Sequence, residues 1–236
     1  MRVLVCLALL CLAIQPTAFA AKKKAEKAYD LGVKAGNDGD LNAAIKRFAT
    51  AVRIDKKYGQ AWRDLGKALL YKDRVPEAIA ALNKAAKLNK KSYPSNLALG
   101  QAYVKMHLPK LAIGPLRVAL KAGKKKDKDK VLLALGSALS DAGEHSEAIK
   151  NLEKLAKKSP SDSSLLLKLA LAQYRGKKGN DAVSTLDRVV ALEPSEKRAH
   201  LLKAKVYEGE GNLEKAAAAY GAACDLGHQK SCLKSR

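Results

Sequence analysis

The side chains with most chemistry to offer are few and scattered. The chain holds four histidines (His107, His145, His200 and His228) and four cysteines (Cys6, Cys11, Cys224 and Cys232). Catalysis by such groups needs convergence: a nucleophile beside a base, or three or four ligands around a metal. The spacing offers neither. There is no His-Glu-x-x-His, no Cys-x-x-Cys and no glycine-rich phosphate loop. Asp127 and Asp129 sit in a lysine-rich run rather than beside a histidine. His107 and His145 read as turn residues. His228, between Cys224 and Cys232, makes one incomplete set of three ligands, short of the four that structural zinc takes. The chain is therefore read as a non-enzyme with no cofactor and no metal.

The abundant chemistry is cationic. The 236 residues carry 45 Lys and Arg against 23 Asp and Glu, a formal charge of +22. Residues 21–126 hold 25 basic and 8 acidic groups, and residues 127–236 hold 19 and 15. Lysines cluster at Lys56-Lys57, Lys90-Lys91 and Lys124-Lys125-Lys126, one 34-residue step apart. Aligned lysines draw anions, whether selected for that or only for solubility. Both readings stand at this point.

Behind that spacing is a repeated element. Trp62 to Leu69 and Ala78 to Leu88 each place apolar residues three and four apart, the pattern of two amphipathic helices. Pro76 suits the first turn of the second helix. A small residue recurs on the first helix at Gly32, Gly66, Gly100, Gly136, Ala170 and Ala204. An alanine recurs on the second at Ala44, Ala78, Ala112, Ala148, Ala182 and Ala216. Four residues after each comes a large one: Phe48, Leu82, Leu116, Leu152, Leu186 and Tyr220. No single hairpin can bury such a face alone, so the pattern predicts stacked hairpins. The fold class is all-α, a right-handed superhelical solenoid of about six helix-turn-helix repeats.

The repeat resembles the tetratricopeptide family, whose pattern is W-x2-L-G-x2-Y, A-x3-F and a terminal P. Trp62, Leu65 and Gly66 match it, Tyr103 and Tyr207 fill its tyrosine slot, and Pro160 and Pro194 its proline slot. The resemblance covers about Ala25 to His228. It implies a scaffold for protein partners whose first helices line an inner groove. Carried over, the partner groove comprises Tyr29, Arg63, Lys67, Tyr71, Gln101, Lys105, Lys168, Tyr174, Arg175 and Lys205. Val33, Leu97, Lys130, Leu133, Leu167, Leu171, Arg198 and Leu201 stand beside them. Such a groove suits an extended or helical segment with apolar anchors and acidic residues. The leucines have a second reading, as packing between repeats. Chaperone-tail-binding members use paired groove asparagines, which this chain lacks.

The ends are distinct. Arg2, a run of twelve apolar residues from Val3 to Ile14 and the small-x-small site Ala18-Phe19-Ala20 read as a secretory signal peptide over residues 1–20. Twelve are too few for a bilayer, which needs about 20. The competing reading is an uncleaved anchor or a buried helix. Cleavage at Ala20-Ala21 would leave only Cys224 and Cys232, and an even count in an oxidising compartment suggests one disulfide. The stretch Tyr220 to Cys232 is similar to the cysteine-paired motif of Sel-like repeats, which implies the same bridge. Residues 21–126 form the first three repeats and 127–228 the last three. Residues 229–236 form a terminal cap fragment. The Gly123–Lys130 insertion reads either as a joint between the halves or as a longer surface turn. Pro115 should kink the second helix of repeat three.

Three functions fit. The first is an exported, periplasmic or secreted scaffold for a protein partner. The second is a binder of anionic envelope polymer or lipid head groups through the lysine ridge of Lys56, Lys57, Lys90, Lys91, Lys124, Lys125 and Lys126. The third, nucleic-acid binding, is favoured by an isoelectric point near 9.8. The leader and the scarcity of stacking aromatics argue against it.

Overall fold

The computed structural model describes residues 2–235, with side chains from Phe19 onward. Apart from Phe19 and Ala20, the leader assignment lies outside the described side chains. The described residues form helices joined by short turns, with no strand among them. None of their helices is long and apolar enough to cross a membrane. The chain divides into two compact units, Met1–Ala122 and Gly123–Arg236.

The first unit stacks three hairpins. They are α1 (Arg2–Asn37) with α2 (Leu41–Ile54), α3 (Gly59–Tyr71) with α4 (Val75–Leu88), and α5 (Tyr93–Lys105) with α6 (Pro109–Ala122). The second unit opens with a short 3-10 turn at Lys125–Asp127. Three hairpins follow: α7 (Lys128–Ala142) with α8 (His145–Ala156), α9 (Ser163–Arg175) with α10 (Gly179–Leu192), and α11 (Lys197–Gly209) with α12 (Leu213–Asp225). A four-residue helix, α13 (Gln229–Cys232), closes it. His145 therefore begins α8 rather than lying in a turn. Glu144 takes the N-cap position before it.

The core is the repeated pair. Ala44, Ala78, Ala112, Ala148 and Ala182 are fully buried, as are Leu82, Leu116, Leu152 and Leu186. The small residue on each first helix is what lets the two helices meet. A Cβ on Gly66 or Gly100 would come within 2.5 Å of the Cγ of Leu82 or Leu116. In the last two hairpins Ala170 and Ala204 take that place and are themselves fully buried.

Each hairpin turns in the same way. The first helix ends in a Schellman motif, with a left-handed residue followed by an N–H donated to the carbonyl five residues back. That bond recurs as Asp40 to Ala35, Arg74 to Leu69, Leu108 to Tyr103, Glu144 to Leu139, Lys178 to Gln173 and Asn212 to Tyr207, each at 2.9 Å. The left-handed position holds Gly39, Gly143 and Gly211 in three hairpins. In the others it holds Asp73 (φ 60°), His107 (φ 56°) and Lys177 (φ 58°). Side-chain caps start several helices: Asp40 accepts from Ala43 N–H at 2.9 Å, and Asp162 accepts from Leu165 N–H at 2.9 Å. α6 runs as one segment through Pro115. The carbonyl its ring frees belongs to Leu111, a residue that is 54% exposed.

Candidate functional site

In the first unit the residues carried over from the groove pattern fall into two groups. Tyr29 and Arg63 are held inside the stack. The Tyr29 hydroxyl donates to Asp64 Oδ2 at 2.8 Å, and Arg63 closes on the same carboxylate through Nε at 2.9 Å and Nη2 at 2.7 Å. The Tyr29 ring lies 5.5 Å from Phe48 and 5.1 Å from Tyr58, centroid to centroid. Burial first, and then the Asp64 hydrogen bond and charge, push the Tyr29 hydroxyl up to about 12. The bond to Asp64 also holds Arg63 more firmly protonated. These two residues join repeats, and Arg63 also lines a cavity of about 280 Å³ with Lys57, Tyr58, Gln60 and Ser92.

Lys67, Tyr71, Gln101 and Lys105 do come together. With Leu70 and Ala98 they line a cavity of about 260 Å³ between α3 and α5. Tyr71 is 75% exposed. Lys105 is committed: its Nζ reaches Asp73 at 2.9 Å and the Leu70 carbonyl at 3.2 Å, both on the preceding hairpin.

In the second unit, Lys168 and Lys205 flank a cavity of about 300 Å³ between α9 and α11. Its floor is leucine, from Leu167, Leu171, Leu201 and Leu202, and Arg198 and Ser164 complete the rim. Arg198 is forked onto Glu196 at 3.0 and 2.8 Å. Lys168 and Lys205 are exposed and carry no ion pair among the described residues. The same two helices hold a second cavity of about 510 Å³, where Tyr174 and Arg175 meet Val206 and Glu210. Arg175 is tied to Asp141 on α7. Asp64, Asp73 and Asp141, which fix these cations, were not in the sequence-derived set. Asp64 sits beside Arg63 in the chain, but the other two pair at unequal offsets across repeats.

The ridge lysines Lys56, Lys57, Lys90 and Lys91 of the first unit are all exposed, as are Lys124, Lys125 and Lys126 of the second. The turns that carry the first four are built alike. Trp62 Nε1 donates to the Lys56 carbonyl at 2.9 Å, and Asn96 Nδ2 to the Lys90 carbonyl at 3.1 Å. His200 Nε2 meets the Pro194 carbonyl at 3.0 Å in the equivalent turn of the second unit.

Cys224 and Cys232 have Cα atoms 5.0 Å apart and their sulfurs at bonding distance. His228 Nδ1, between them in the chain, lies 2.7 Å from Ser231 Oγ. No group of three His, Cys, Asp or Glu that could hold a metal occurs among the described residues. Lys234 fastens the terminal segment to the last hairpin, reaching Glu208 at 2.8 Å and lying 5.0 Å from the Tyr220 ring centroid.

Stacked helical hairpins with grooves along their first helices define a repeat protein of the interaction-scaffold class. Tetratricopeptide repeat models match residues 29–96, 139–206 and 197–226, together well over half the chain. The chain belongs to the tetratricopeptide repeat family. Among solved structures it is similar to YrrB, described as a TPR protein with an unusual peptide-binding site. There the TM-score is 0.65 with 20% identity, over 79% of this chain and 96% of that one. It is also similar to PilW, a widely conserved type IV pilus biogenesis factor (TM-score 0.66, 16% identity, 84% and 90% covered). PilF of Pseudomonas aeruginosa aligns at TM-score 0.64 with 18% identity, over 91% and 96%. At such identities the likeness is one of fold. An uncharacterized protein of Methanocaldococcus jannaschii is 39% identical over 56 residues, 24% of this chain. The matched stretch spans 65% of that relative's length.

Proposed function

We propose that the chain is an exported scaffold that works in the bacterial periplasm or cell envelope. There it holds an acidic, apolar-bearing segment of a partner protein along its first helices. The observation that carries this is the leucine floor between α9 and α11, rimmed by the exposed Lys168 and Lys205. A water-facing leucine floor is stabilised by an apolar partner, and cations on its rim select an acidic one. The peptide-binding site in the description of YrrB accords with this use. The apolar leader with its small-x-small site supports export, and Phe19 and Ala20 at the proposed cut are exposed. The adjacent Cys224 and Cys232, in a stretch similar to Sel-like repeats, fit an oxidising compartment.

The test is a crosslinking pull-down from an envelope fraction with wild-type protein and Leu167→Glu. Capture of a partner by the wild type and its loss in the variant is expected. Equal capture by both would remove the α9–α11 groove from recognition. N-terminal sequencing should begin at Ala21, and retention of Met1 in a cytosolic fraction would defeat export.

A second reading rests on the exposed Lys56, Lys57, Lys90 and Lys91 on like-built turns. They would contact an anionic envelope polymer or lipid head groups. Association through them would weaken steeply with salt, since exposed charges act over about 8 Å at physiological ionic strength.

A further inference from the structure

The groove of the second unit has a period, and the period selects a ligand conformation. Leu133, Leu167 and Leu201 occupy the same position of α7, α9 and α11, 34 residues apart, and each is half-buried. α9 packs against both α7 and α11. Packed helices lie about 8–10 Å apart, so the three leucines form a ladder with rungs of about that spacing. The first unit has no such ladder, because Arg63 takes the equivalent place in α3 and is folded onto Asp64.

A bound chain must present apolar side chains on one face at the rung spacing. A β-strand repeats its face every second residue, about 6.8 Å, and is out of step by the second rung. Three residues of strand reach the next rung but point the side chain to the opposite face. A polyproline-II chain turns once every three residues with about 3.1 Å rise, which brings a side chain back to the same face every ~9.3 Å. An α-helix also returns near this interval, every seven residues. It presents an apolar stripe wider than 100°, however, while this column is widened only at Leu171 on α9, a position held by Ser137 on α7 and Lys205 on α11. Lys168 follows Leu167 directly and Lys205 lies one turn beyond Leu201, so cations border the column closely.

Resting on the groove reading above, we infer that the second unit binds an acidic segment in polyproline-II conformation. An apolar residue at every third position seats on Leu133, Leu167 and Leu201. Acidic residues between them face Lys168 and Lys205. The bound conformation is largely preformed in such a segment, which lowers the ordering cost of binding.

Three fluorescein-labelled peptides test this by anisotropy against the full mature protein. One is built of Leu-Pro-Glu triplets. The second has the same composition with its leucines placed at alternate positions. The third is a helix-forming Ala/Glu peptide with leucine every seventh residue. The triplet peptide should bind at least tenfold more tightly than either, Leu167→Glu should abolish its binding, and Leu201→Ser should weaken it about tenfold. Lys168→Glu should weaken it more at low salt than at high salt. Circular dichroism confirms that each variant remains helical. If the alternating or helical peptide binds as well or better and Leu167→Glu abolishes that binding, the polyproline-II assignment falls while the groove stands. If binding is indifferent to Leu167→Glu, both fall. If no peptide binds, the assignment falls, and the envelope pull-down with Leu167→Glu decides the groove.

Discussion

Lys177 holds the left-handed position of its hairpin turn at φ 58°, where Gly39, Gly143 and Gly211 stand in other hairpins. An L-residue held there costs roughly 1–2 kcal/mol through the clash of its Cβ with the backbone. Lys177→Gly removes that clash. It also gives the unfolded chain more freedom, which opposes the gain by about 0.5–1 kcal/mol. The net expectation is a gain of about 0.5–1 kcal/mol. Three comparisons isolate the cause. His107→Gly should behave similarly. Asp73→Gly should be nearly neutral, because aspartate tolerates this region better and the change also removes the ion pair with Lys105. Gly143→Lys should lose what Lys177→Gly gains. Urea unfolding followed by circular dichroism reads the effect as a midpoint shift at constant slope. A slope near 2 kcal/mol per molar turns the expected gain into about 0.3–0.5 M. A lower midpoint for Lys177→Gly, or an unchanged one for Gly143→Lys, would refute the assignment of strain to this turn.

Leu82→Asp should destabilise by several kcal/mol, since Leu82 is fully buried between α3 and α4, whereas Lys90→Asp on an exposed turn should stay within about 0.5 kcal/mol. Equal melting temperatures would show the repeat register to be wrong. Tyr29 holds its proton more tightly folded than unfolded. Its contribution to stability is therefore complete below its ordinary value near 10 and lost as the pH rises from there to about 12. The stability difference between wild type and Tyr29→Phe should shrink across that interval, and a constant difference would count against the Asp64 tie. Reversing Lys56, Lys57, Lys90 and Lys91 to Glu should preserve helicity and slow association with an anionic envelope partner. Unchanged association at low salt would leave those lysines a solubility role only. Under non-reducing conditions, peptide mass spectrometry should find Cys224 linked to Cys232, and two free thiols in exported protein would defeat the bridge.

The hairpin core was legible because a small residue on the first helix, and an alanine and a large apolar residue on the second, recur at a fixed interval and admit few substitutes. Ala78, Leu82, Ala148 and Leu152 are all fully buried, as their spacing implies. The left-handed turn is just as regular in the backbone but escaped notice, because Asp73, His107 and Lys177 interrupt the glycines that would have marked it. The groove was harder to read. Residue type places Arg63 and Lys105 among cations facing a ligand, yet each is committed to a carboxylate. Those partners, Asp64 and Asp73, lie at offsets of one residue and 32 residues, so no single period reveals them. Lys168 and Lys205 have no carboxylate within ion-pair distance among the described residues, which depends on the packing of adjacent hairpins.

In every hairpin, closure relies on the turn and on the small residue of the first helix facing the large residue of the second. The position held by Leu133, Leu167 and Leu201 in the second unit is half-buried and stands outside that contact. It is free to drift. A substitution there rewrites one letter of what the surface reads and leaves the hairpin that carries it intact, so new specificities lie a few neutral steps apart. An arginine and a leucine already stand at this position in neighbouring hairpins.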